Sequence, residues 1–212
     1  MTTAPSSRPV LRALTIADDP AAWAALGFTV HDGTCHVGGV DLHLEGRVGA
    51  GGLSGWWIET PTGVVEEVAT LPVGRPPGTT ASAPPAHANG VTAVDHVVVR
   101  TDDVDATVAA LDAAGVPERR RVEGLRGGSG TWSFALLTTC ALEVVGPTDT
   151  PGTHLWGLAL VAPDLEATVA ALGSRCGPVR DAVQPGRRIA TVHAPGVSVP
   201  LALLSPRPTL SP

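Results

Sequence analysis

The chain has 212 residues, 43% of them apolar and 16% charged, which is ordinary for a globular protein able to bury one sizeable core. Its formal net charge of -6 and pI of about 5.6 argue against a nucleic-acid partner, since the only basic cluster is Arg119-Arg120-Arg121. No apolar run is long enough to span a bilayer, the N-terminal MTTAPSSRPV lacks the core of a signal peptide, and Cys35, Cys140 and Cys176 show no metal spacing. The expectation is a cytoplasmic protein with ordinary thiols and no membrane partner.

Residues 1–9 read as a loose tail. From Val10, VLRALTIA is strand-like, and Asp18-Asp19-Pro20 starts a short helix carrying Trp23 and Leu26 that Gly27 stops. Turns at Asp32-Gly33 and Gly38-Gly39 flank short strands, and Val40, Leu42 and Leu44 alternate with polar residues as a half-buried strand should. Residues 10–72 therefore form a degenerate βαβββ-like region, in which GWWIETP from Gly55 begins a truncated further unit. Residues 73–90 are rich in Pro, Gly and Ala and read as a linker, with His87 and Asn89 expected in solvent and in a turn.

The next stretch is written twice. DVDATVAAL begins at Asp103 and DLEATVAAL at Asp164, an offset of 61 residues that suits a compact module of a few strands and one helix. In each copy a β-branched strand runs into a capping Asp and then a helix, with Val104, Val108 and Leu111 on one face of the first and Leu165, Val169 and Leu172 on one face of the second. Gly115 with Pro117, and Gly177 with Pro178, stop these helices. Short apolar runs follow: TWSFALL and CALEVVGP in the first copy, RRIATVHA and VSVPLALLSP in the second. The expected modules are 91–147 and 154–206, with a tail at 207–212. The expected fold class is α+β, with paired βαβββ modules forming a cup-shaped mixed sheet beside the N-terminal module.

Strand alternation assigns the chemistry. His96, Val98 and Arg100 share one face of their strand, opposite the face that Val97 and Val99 turn to the helix. Glu143 and Val145 share a face of the closing strand. A His and a Glu on one sheet face can take a divalent metal such as Zn, Ni, Mn or Fe, or work as an acid–base pair, while Arg100 offers a fork for an anion. Trp132 and Trp156 read as walls of the cup or core filler. Of Arg187 and Arg188, adjacent strand residues, one should point inward and one outward.

The paired units, with DHVVV opening the first and LEVVGP closing it, resemble the vicinal oxygen chelate superfamily of glyoxalases, bleomycin-resistance proteins and extradiol dioxygenases. LWGLAL from Leu155 and DAVQPGRRIAT from Asp181 are similar to phrases in glyoxalase-like bacterial proteins. The resemblance covers about Gly90 to Pro206 and implies metal ligands on the first and last strand of each module. Those positions are His96 and Glu143 in the first module but Gly157 and Ala202 in the second, so two of four implied ligands are present. The implied function is that of a lyase, isomerase or dioxygenase acting on a small molecule in the cup. His96 and Glu143 would be catalytic or metal-binding, and Arg100, Trp156, Arg188 and Gln184 substrate-binding. The alternative is a non-catalytic small-molecule binder of the bleomycin-resistance type. Either form is expected as a monomer or homodimer, with the N-terminal module filling the cup or serving dimerisation as a further option.

Overall fold

The computed structural model describes residues 8–47, 49–78, 86–124 and 130–208. Two sheets carry the chain, and both are assembled from the same unit. The first unit is β1 (Val10–Ile16), α1 (Pro20–Ala25), β2 (Val30–His31), β3 (Thr34–Val37) and β4 (Val40–Leu44). After it come β5 (Leu53–Thr60) and β6 (Gly63–Val64). The second unit is β7 (Ala93–Thr101), α2 (Val104–Ala113), β8 (Glu118–Glu123), β9 (Thr131–Leu136) and β10 (Ala141–Gly146). The third is β11 (Thr153–Val161), α3 (Leu165–Leu172), β12 (Arg180–Asp181), β13 (Arg188–Val192) and β14 (Leu201–Leu204).

In every unit the first and last strands pair in parallel, β1 with β4, β7 with β10 and β11 with β14. Parallel neighbours need a long crossover, which the helix and middle strands supply. The second and third units join through the antiparallel pair β7–β11, giving an eight-stranded sheet ordered β12-β13-β14-β11-β7-β10-β9-β8. The six-stranded sheet is ordered β2-β3-β4-β1-β5-β6, and β5 lies antiparallel to β1 as β11 does to β7. The α+β class and the mixed sheet of paired units agree with the sequence reading.

The repeated helices form where the sequence caps them. The Asp103 carboxylate accepts from the Ala106 N–H and that of Asp164 from the Ala167 N–H, each satisfying a donor the helix cannot. Both helices cover the same face of the large sheet, over Val97, Val99, Leu142 and Val144 in one half and Leu158, Leu160, Leu201 and Leu203 in the other, all buried. The buried helical stripe differs from the expected one: Thr107 and Thr168 take the interior, while Val108 and Val169 are half-buried. Each threonine is accommodated because its hydroxyl is bonded, Thr107 to Thr101 and Thr153, and Thr168 to the carbonyls of Asn89 and Asp164.

The described ends of the expected linker are packed rather than loose. The Arg75 N–H donates to Thr15, the Gly78 N–H to Asp41, and the Pro76 carbonyl bonds the ring of His43. Asn89 lies in a turn as expected, but both His87 and Asn89 are buried and not in solvent. The Thr29 N–H donates to His87 Nδ1, and Asn89 bonds both the Leu26 carbonyl and the Val91 N–H. A Pro-rich segment has few amide donors of its own, and here its backbone is satisfied by polar side chains on the N-terminal sheet. Residues 79–85, and most of the expected tails at 1–9 and 207–212, lie outside the described residues.

One buried carboxylate ties the two sheets. Asp18, 1% exposed, accepts from the Trp23 indole N–H, from the Ser198 N–H at 2.7 Å and from the Ser198 hydroxyl. Asp18→Ala leaves the indole and a backbone N–H unpaired in the interior, so the variant should lose about 3 kcal/mol of stability. Urea denaturation followed by tryptophan fluorescence measures it; a midpoint equal to the wild type would contradict the assigned role.

Candidate functional site

Alternation alone would put Asp95 and His96 on opposite faces of β7. A β-bulge brings them together: Ala159 of β11 lies opposite His96 and Leu160 opposite Val94, leaving Asp95 as the extra residue. His96 Nδ1 lies 2.9 Å from Asp95 Oδ2, and His96 Nε2 lies 3.6 Å from Glu143 Oε2. Glu143 reaches His96 from β10, where it stands opposite Val98 in register. The structure thus brings His96 and Glu143 together on the face without helices, both half-buried.

Behind His96 is a buried ion pair. Asp95 Oδ1 accepts from Arg187 Nη2 at 2.7 Å, and Arg187 is 2% exposed. The rest of the guanidinium is also engaged, with Nε and Nη2 donating to the Ser205 carbonyl and Nη1 to Gln184 Oε1. Burial pushes the Asp95 carboxyl up, but hydrogen bonds from His96 and Arg187, together with their charge, hold it well below the ordinary carboxylate range. An ionised carboxylate only accepts, so His96 carries its proton at Nδ1 and leaves Nε2 with a lone pair in its neutral form.

Arg100 and Trp156 are also brought together. A second register shift, between Leu155 and Gly157, falls at Trp156, whose ring centroid lies 4.7 Å from the Arg100 guanidinium carbon. Trp156 is 42% exposed, so the pair stands at the surface instead of filling core. Trp132 and Phe134 flank the same face, opposite Val145 and Glu143 in register, and are half-buried.

Arg188 and Gln184, two of the expected substrate-binding residues, have partners within the chain. Arg188 pairs with Glu166 of α3 and with Asp181, on the helix-covered face, because strand alternation sends it there once Arg187 turns inward. Gln184 is engaged by Arg187. Of the pair Arg187 and Arg188, of which one was expected to point inward, it is Arg187 that does so, while Asp95 was not singled out from the sequence. Here the adjacent Asp-His pair meets at a bulge, which leaves no mark in the residue pattern.

The donor set does not fit the divalent metal that the family resemblance implies. Among the described residues no three or more His, Cys, Asp or Glu side chains are grouped to hold an ion, and catalytic sites generally take three protein ligands. Nor does the third unit supply one at the matching positions, where Gly157 and Ala202 carry no donor atom. A cleft of about 280 Å³ lies on the other side of the sheet, lined by Asp102, Asp105, Arg121, Glu123 and Thr131. Its carboxylates are already bonded, Asp105 to Arg121, Glu123 to Thr131 and Asp102 to the Gly152 N–H.

No protein-family model matches the chain, and no curated protein matches it in sequence. Among solved structures, a triple mutant of 4-hydroxymandelate synthase from Streptomyces coelicolor is similar over 98% of this chain and 94% of its own, with a TM-score of 0.65 and 14% identity. Methylmalonyl-CoA epimerase from Mycobacterium tuberculosis is similar over 56% of this chain and 91% of its own, with a TM-score of 0.46 and 22% identity. A variant of the Streptomyces coelicolor epimerase bound to 2-nitronate-propionyl-CoA covers 57% of this chain and 99% of its own, with a TM-score of 0.45 and 22% identity. The nearly full-length match shows that the chain shares the fold of the synthase.

A carboxyl depressed in the native state contributes stability that is complete above its unfolded pKa of about 3.9 and is lost as pH falls toward the folded value. Asp95→Asn should therefore cost about 3–5 kcal/mol at pH 7, by leaving Arg187 buried without its counter-charge, and should flatten the decline in stability below about pH 4. Urea midpoints collected across pH 2–8 measure both effects. An unchanged acid slope would show that another group governs it.

Proposed function

We propose that the protein is a small-molecule enzyme of the isomerase type that moves a proton at a carbon next to a carbonyl. The observation that carries this reading is the Asp95–His96–Glu143 line, at 2.9 and 3.6 Å, reaching the sheet face that bears no helix. Asp95 holds Nδ1–H, so Nε2 is the basic atom and the imidazolium formed on protonation is stabilised in place. His96 Nε2 takes the proton from carbon, the C–H electron pair moves into the carbonyl to form an enolate, and the His96 imidazolium returns the proton, which restores the neutral ring. Nothing else is consumed.

Arg100 holds the anionic end of the substrate, its guanidinium kept in place by Trp156. His96 and Arg100 lie four residues apart on one strand, about 13 Å between Cα atoms, so reacting carbon and anion belong to opposite ends of the substrate. Trp132, Phe134 and Val145 offer apolar surface between them. The fold shared with 4-hydroxymandelate synthase supports an enzyme at the level of analogy, since one fold hosts many chemistries. The second and third units supply the site, and residues 10–72 act as a separate unit. The described cysteines are free, which suits a cytoplasmic setting, as monomer or homodimer.

Incubation in D₂O with a panel of carboxylates whose ketone or thioester carbonyl lies several bonds from the carboxylate, followed by ¹H NMR, tests the reading through loss of the signal of the proton next to that carbonyl. His96→Gln should slow exchange by about 10²–10⁴-fold, the usual worth of a general base. Arg100→Met should act chiefly on KM. Exchange that survives in His96→Gln would overturn the assignment. Broadened ligand signals with no exchange would favour the binding protein, a reading suited to the small apolar residues Gly157, Ala159 and Ala202.

A further inference from the structure

The third unit has no donor on the open face at the positions where the second has His96 and Glu143, yet its β12–β13 turn reaches the site from behind. We infer that Arg187 is the positioning residue that fixes the ring and tautomer of His96 through Asp95. This rests on the proton-transfer reading for its catalytic consequence, while the effect on the ring stands apart from it.

The geometry leaves Arg187 little freedom. Its N–H donates to the Gln184 carbonyl, Gly186 supplies the left-handed backbone of the turn with φ of +76°, and the Ser205 carbonyl takes two guanidinium bonds. One Nη2 hydrogen bond remains for Asp95 Oδ1, and that leaves Oδ2 aimed at His96 Nδ1. Without Arg187 the buried Asp95 carboxylate would lose the full opposite charge, and one of the two hydrogen bonds, that favour its ionised form and fix its orientation. Once neutral or rotated, it would cease to require a proton on Nδ1, and the lone pair on Nε2 would no longer be guaranteed. Arg187 thus acts through Asp95 and touches no reacting atom; it is the third unit's contribution to chemistry carried out on the second.

The test needs no substrate at first. Two-bond ¹H–¹⁵N spectra of the histidine rings at pH 8, with His96 assigned by comparison with His96→Gln, should show wild-type His96 as the Nδ1–H tautomer. Arg187→Met should convert it to a mixture with Nε2–H, and Arg187→Lys, which keeps the charge but loses the fork, should restore part of the wild-type signal. Gln184→Ala changes an exposed residue and removes one anchor of the guanidinium, so it should shift the ring signal less and in the same direction, independent of any folding defect in the Arg187 variants. For a substrate that exchanges, Arg187→Met should lower kcat about tenfold or more with KM unchanged, the scale typical of groups that orient a catalytic residue. A folded Arg187→Met, or Gln184→Ala, whose His96 signal matches the wild type overturns the inference. A shifted ring signal without exchange on any panel member upholds Arg187 as the positioning group and overturns the proton-transfer reading alone.

Discussion

The antiparallel seam between β7 and β11 is the constraint from which the rest of the large sheet follows. It joins two copies of one unit edge to edge, so that both helices fall on one face and the opposite face is left for side chains from four central strands. A strict ladder along that seam would have kept Asp95 under the helices and His96 away from it. The one-residue bulge breaks that rule at a single place and puts carboxylate and imidazole side by side.

That arrangement requires a buried charge, and the buried charge requires a partner. Taking Asp95 and Arg187 out of water costs several kcal/mol per ion before their attraction and hydrogen bonds offset it, and apolar residues of similar volume are often as stable in such places. The pair is therefore poorly explained as a device for stability. Its geometry explains it better: Arg187 spends its other donors on its own turn and on Ser205, and the one carboxylate it meets is the one that faces His96.

Much of the architecture was legible because the unit is repeated. The two DATVAAL-like helices announce themselves by their capping Asp residues, and the capping bonds of Asp103 and Asp164 are made as the spacing implies. The pairing of His96 with Glu143 was legible too, since period-two alternation and the parallel return of the last strand put both on one face. What could not be read depends on tertiary partners. Thr107 and Thr168 look like polar surface until the hydroxyls and carbonyls that receive them are known. Arg187 and Arg188 are chemically identical neighbours, and only the position of Asp95 across the seam decides which of them is drawn inward.

The N-terminal sheet shows that the backbone device does not by itself make a site. Its seam, β1 with β5, also carries a register shift, one residue further along the unit, with Leu11 opposite Ile58, Ala13 opposite Trp57 and Arg12 as the extra residue. Counting seven residues back from the capping Asp gives His96 in the second unit, Gly157 in the third and Arg12 in the first. Arg12 turns outward to Glu59 at 2.8 Å, and Leu42, opposite Leu14, takes the register position that Glu143 holds opposite Val98. Leu14, Leu42, Trp56 and Ile58 are all fully buried there, so that face is core. One bulged seam therefore serves packing in the first sheet and holds ionisable groups in the second. What separates the two is the set of side chains at a few positions: an acidic residue and an imidazole at the bulge, a carboxylate on the returning strand, and a guanidinium behind them to keep the acid ionised.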